Sequence, residues 1–228
     1  MVRGGKLVCM LLRLALFALL TRLFSLAGVR VGHILGSRTS FFAGGSVMTP
    51  LAGLFGSVFE CGVLSAINAA LVIWRWGVPV GRVSTYGIPS FFAALYWSTP
   101  SFWTRFAVPV ICMLLFYFHP VGGEAFAYTL YWLIPMAFYV FRLDNLIFNA
   151  LGSTFVQHAV GSVIWLYTVP MSAQAWLSLI PVVARERLLI AAWMVCVYLV
   201  AQLGYRVWCY LARYLPCIPY LQHPSRGA

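Results

Sequence analysis

The densest chemistry in this sequence is a polar stretch set inside an apolar run: Asn145-Leu-Ile-Phe-Asn149-Ala-Leu-Gly-Ser153-Thr-Phe-Val-Gln157-His158-Ala-Val-Gly161-Ser162. Wound as a helix at about 100° per residue, Ser153, Thr154, Gln157 and Gly161 share a wedge of roughly 100°, with His158 about 40° beyond Thr154. Phe148, Phe155 and Ala159 fall opposite. Gln157 and His158 side by side supply directional donors and acceptors, with Asn149 and Ser153 as a supporting polar wall, and that set suits a small polar solute. The same groups also serve as glue, because Ser, Thr, Gln and His hydrogen-bond between membrane helices while Gly lets backbones approach. Glu60 is the second candidate, since it lies within the apolar stretch Ser57-Val-Phe-Glu-Cys-Gly-Val-Leu64. An ionisable group at membrane depth is expensive and reads as an ion or proton site.

Other chemistries leave no trace. There is no HExxH, GxSxG or phosphate-binding loop. His158 is five residues from Ser153, so the two side chains point about 140° apart and make no dyad. The six cysteines contain no CxxC pair, and neither a metal site nor a cofactor is expected. An intramembrane enzyme is the third-ranked reading. Glu124 is expected at a helix N-terminus, and Arg185-Glu186-Arg187 reads as an anchor at a membrane boundary. Gly62, Ala66 and Ala70 form a ridge of small residues suited to close packing.

Such groups need a scaffold, and composition sets its class. The 228 residues are 63% hydrophobic and only 8% charged, against roughly 25% charged in soluble domains. Four acids and fifteen Lys plus Arg cannot cover a globule of this size in water, so lipid is expected around a single integral membrane domain, 1–228. The net charge of +11 could suggest nucleic acid. However, Arg75, Arg82, Arg142, Arg185, Arg187, Arg206 and Arg213 fall singly or in pairs at the ends of apolar segments, as a positive-inside bias requires, and no nucleic-acid partner is expected.

Apolar runs cover 7–28, 41–59, 61–77, 87–118, 125–141, 146–168 and 187–209. The first suits an uncleaved membrane helix, because Arg13 interrupts any signal-peptide core. Glycines and prolines crowd 41–77, and Pro89 and Pro100 interrupt 87–118. An all-α bundle of six crossings follows, with broken or re-entrant segments at 41–60 and 87–100; the alternative is a layout of seven or eight crossings. Loops 119–124 and 169–175 contain no Lys or Arg and belong outside, whereas those with Arg75, Arg82 and Arg142 belong inside with both termini. Arg30, Arg38, Arg185 and Arg187 oppose that pattern.

Phe42-Ala-Gly-Gly-Ser-Val-Met-Thr-Pro-Leu-Ala-Gly-Leu-Phe-Gly56 and the polar Asn149–Ser162 helix give the chain a partner in type. It resembles the substrate-binding S component of energy-coupling factor vitamin transporters, over about half its length. The resemblance implies uptake of a small vitamin-like solute across a bacterial or archaeal cytoplasmic membrane, energised by an ATP-driven partner module. The family's first helix docks through Ala-xxx-Ala, whereas here Ala15 and Ala18 are three apart. The expected function is therefore a small-solute transporter or its binding subunit, and the alternative is a non-catalytic membrane scaffold or assembly subunit.

Overall fold

The computed structural model describes residues 80–212 continuously, and before them Ala15, Leu19, 30–33, 40–42, Phe59, Gly62, Val63, 65–67 and Ala70. Glu60 and most of the segment 41–60 lie outside the described residues. The described chain is predominantly helical, as its composition requires, with one short antiparallel ladder. In that ladder β1 (Arg30–His33) pairs with β2 (Ser40–Phe42), Arg30 opposite Phe42 and His33 opposite Ser40. Gly62 lies against Phe91, but Ala66 and Ala70 are exposed, so the expected small-residue ridge is not packed among the described residues.

Helix α1 (Val80–Ser98) runs unbroken through Pro89. The break expected within 87–100 comes at Thr99-Pro100 and not at Pro89, because Pro100 drives Thr99 out of helical geometry. A π-helical turn, Trp103–Ala107, then leads into α2 (Val108–Tyr117). Pro109 has no N–H to give the Arg105 carbonyl, and the Val108 amide bonds five residues back to Trp103. The wider turn leaves Arg105 buried.

Pro120 opens the five-residue α3 (Pro120–Glu124), so Glu124 ends a helix where it was expected to begin one. Seven residues of 3-10 helix follow, Phe126–Trp132, before α4 (Leu133–Val140). Two local features favour this tight winding. Thr129 Oγ1 donates to the Phe126 carbonyl three residues back at 2.8 Å, and Pro135 offers no N–H to the Tyr131 carbonyl. At the end of α4 the chain closes in a Schellman motif: Leu143 N–H donates to the Phe138 carbonyl at 2.8 Å and Arg142 N–H to Tyr139 at 3.2 Å. Arg142 holds the left-handed position at φ 54°, where glycine is usual. Arg142→Gly is expected to raise stability by up to about 1 kcal/mol, read as a small increase in melting temperature in detergent.

Helix α5 (Leu146–Thr168) is capped by Asn145, whose side chain accepts from the Phe148 amide. It is the hub of the bundle. Ser153, Thr154 and Gln157 of its polar wedge are buried, and so are Phe155 and Ala159 on the opposite side. Helices pack around it on several sides: α1, α2, α4, and α7 (Ile180–Ala212), which follows the short α6 (Ala173–Ser178).

Phe116 anchors the larger core, stacked on Tyr128 at 5.7 Å and edge-on to Trp132 and Trp176 at 5.4 and 5.3 Å. A second cluster joins Trp97, Ala150, Ile190, Ala191 and Met194. Within α7, Ile180–Gly204 gives 25 residues long and apolar enough to cross a membrane. No other described helix satisfies both conditions. Leu188, Trp193, Leu199, Val200 and Leu203 project outward along it.

Candidate functional site

Two polar clusters form along α5, and they divide the residues singled out in the sequence. Asn149 belongs to the cluster near the helix start. Gln157 and His158 belong to the other, eight residues or about 12 Å further along the axis. Ser153 lies between, its hydroxyl donating to the Ala93 carbonyl of α1 at 3.0 Å.

The first cluster is organised by Arg105. The residue is 6% exposed, and its guanidinium sits 4.8 Å from the Tyr96 ring centroid. Nη1 and Nη2 each donate to Asp144 Oδ1 at 3.3 Å, and Nη2 also donates to Asn149 Oδ1 at 3.0 Å. The Asn149 amide in turn donates to Asp144 at 2.8 Å. Gly152 makes the arrangement possible, because a Cβ there would overlap the buried Tyr96 ring. This cluster fastens the Schellman turn to the π-helical segment.

Asp144 remains accessible, with 59% of its side chain exposed. The bond from Asn149 does most to hold its carboxyl below the ordinary value, partial burial opposes this, and the Arg105 charge adds to the lowering. A depressed carboxyl contributes stability that is present above its unfolded pKa and is lost as pH falls through the folded one. The expected result is an extra loss of melting temperature as pH drops below about 4. Asp144→Asn should lack it, and solvent screening should keep it small. Identical acid limbs for the two proteins would remove Asp144 from this role.

The second cluster lies at the centre of the bundle. Gln157 Nε2 donates to Ser90 Oγ at 3.0 Å, and Gly161 leaves room for the Pro89 ring of the same helix. Ser162 Oγ lies 3.3 Å from the Tyr128 hydroxyl and 3.5 Å from His158 Nε2. The Tyr128 and His158 rings are 5.4 Å apart. From α7, Arg187 Nη1 reaches the Thr154 carbonyl at 3.5 Å while Nη2 bonds Glu186 Oε2 at 2.9 Å. In a helix that carbonyl also accepts from the amide of His158, which brings Arg187 beside the His158 main chain.

The Arg185-Glu186-Arg187 anchor is thereby corrected. Arg185 is exposed, but Glu186 and Arg187 are buried. The physical reason is that α7 begins seven residues before the apolar run, at Ile180-Pro181. Pro181 is the sequence signal for that start.

Hydrogen bonding in this centre is incomplete. Gln157 Oε1, Glu186 Oε1 and Arg187 Nε are buried with no hydrogen-bond partner among the described residues. Two acceptors and one donor therefore remain in a dry interior, where each unmade bond is costly. The described residues contain no group of three metal-ligating side chains. No protein-family model matches the chain, and neither a characterised protein nor a solved structure shows significant similarity to it.

Proposed function

We propose that this chain is a membrane helix bundle that binds a small polar solute at the centre formed by Gln157, His158, Glu186 and Arg187. The observation that carries this reading is the set of unpartnered buried polar atoms on Gln157, Glu186 and Arg187. Among the described residues, unpartnered buried atoms also occur at Tyr96, Trp97, Arg105, Trp132 and Trp176, but only here do they include a carboxylate and a guanidinium in contact. Uptake of the solute, by a transporter or by its binding subunit with an ATP-driven module, extends this reading through the resemblance to vitamin-transporter S components. Ser153 and Asn149 then support the bundle around the site.

A membrane scaffold is the second reading. The bonds from Ser153 to Ala93 and from Gln157 to Ser90 favour it, since both join α5 to α1. Gln157→Ala separates the two. Losing the Ser90 bond costs about 0.6 kcal/mol, up to roughly 1.7, under either reading. The solute reading also expects loss of thermal stabilisation by whatever small molecule stabilises the wild type. A variant that melts lower and keeps its full ligand response would assign Gln157 to glue.

For topology we propose six crossings with both termini cytoplasmic, because 119–124 and 169–175 carry no Lys or Arg. Glu124 is exposed and suits single-cysteine labelling. Glu124→Cys in a Cys-free background should react with an impermeant reagent from outside. Reaction from the cytoplasmic side alone would discard the arrangement.

A further inference from the structure

The Glu186–Arg187 pair is half made. One bond joins Arg187 Nη2 to Glu186 Oε2 at 2.9 Å. A guanidinium and a carboxylate commonly make two parallel bonds, yet here Glu186 Oε1 and Arg187 Nε stay unpartnered among the described residues. Both side chains are at least nine-tenths buried, at 9% and 7% exposure. One acceptor and one donor are thus left over on two groups already in contact. A ligand that completes both must accept from Nε and present a hydrogen to Oε1.

A carboxylic acid does both with one group. Its carbonyl oxygen accepts from Arg187 Nε, and its O–H faces Glu186 Oε1. Charge supports the acid over its bare anion. The pair is neutral, and an added carboxylate would leave a net negative charge in the bundle interior. An anion that arrives with one proton leaves the charge at zero. It also gains an O–H···O bond to an ionised acceptor, stronger than an amide N–H could make.

We infer that the Glu186–Arg187 pair receives the carboxyl group of a small monocarboxylic acid, taken from water as the anion plus one proton. The proton comes from solvent and ends between Glu186 Oε1 and the ligand oxygen, and no other bond changes. Within reach of the Glu186 charge are Arg187 on its own helix and Tyr128 from the 3-10 segment, and His158 of α5 feels the charge of Arg187. The neighbouring Arg185 is exposed. No second acid is among them. Tyr128 belongs to the aromatic group with Phe116 and Trp176, so the acid's body should be flat or apolar. This inference rests on the solute-binding reading above.

The test uses the full chain in lipid nanodiscs, titrated with benzoate, butyrate, benzamide, benzylamine and glucose. Melting temperature reads binding, and calorimetry in two buffers of different ionisation enthalpy counts protons. Benzoate or butyrate should stabilise the protein and bring in one proton per molecule. Total-acid affinity should weaken about tenfold per pH unit above the acid's own pKa. Glu186→Gln should bind the carboxylate with that proton uptake removed, and if the variant does not fold, the wild-type proton count still decides. Acid binding without proton uptake overturns the inference, as does failure of both acids to bind. Stabilisation by benzylamine or glucose with no response to the acids leaves solute binding standing and removes the carboxylic acid alone.

Discussion

Arg187→Ala and Glu186→Ala should each cost about 3–5 kcal/mol of stability, because each leaves the other charge buried without its partner. Glu186 and Arg187 are 7% and 6% exposed, and Arg187 makes its second contact with a main-chain carbonyl of α5. Glu186 therefore has no other cation among the described residues to turn to. Replacing both charges together should behave differently. A Glu186→Met/Arg187→Met double variant removes both desolvation costs, fills similar volume, and should be near neutral or more stable. Thermal unfolding in detergent of the four proteins gives the cycle directly. Small and additive losses would mean that water reaches the pair, and the site would lose its dry character.

Gly122→Ala should be nearly as damaging, about 3 kcal/mol, at the upper end of what overpacking costs. The added Cβ would overlap the carbonyl oxygen of Phe116, and Leu166 Cδ2 crowds it from α5 at 3.0 Å. A backbone carbonyl cannot swing aside as a side-chain tip can, and Phe116 anchors the aromatic core. The neighbouring Gly123 provides the control, since its Cβ would lie 3.1 Å from the Tyr117 carbonyl. Gly123→Ala should cost clearly less. Equal melting temperatures for the two variants would contradict the packing of α3 against α2.

The sequence was most legible where local chemistry decides. Helix α5 spans the apolar run 146–168 as read from the residues, and Asn145 caps it. The polarity of Gln157, His158 and Ser153 also marked the helix that turns out to be central. Pro89 misled, because a proline inside an apolar run reads as a break, whereas α1 accommodates it opposite Gly161.

The charged residues were hardest to place. Arg105 sits in an apolar run, and its carboxylate, Asp144, is 39 residues away, so no local pattern announces the pair. Three consecutive charges at 185–187 look like a solvated helix end. Yet Glu186 and Arg187 are buried, and the Thr154 carbonyl that Arg187 reaches lies 33 residues earlier, near only through the packing of α7 on α5. The burial of Phe155 and Ala159 was not legible for a related reason: a helix surrounded by neighbours has no outward side for an amphipathic pattern to reveal.

The claim that the polar centre holds a solute is tested most directly by mass spectrometry of small molecules released from the purified protein. Wild type and the Glu186→Met/Arg187→Met variant would be extracted and purified identically, with folding of both checked by melting temperature. A small molecule should be released from the wild type in roughly one-to-one amount and be missing from the folded double variant. A wild type that releases nothing, or the same molecule released equally by both proteins, would contradict it.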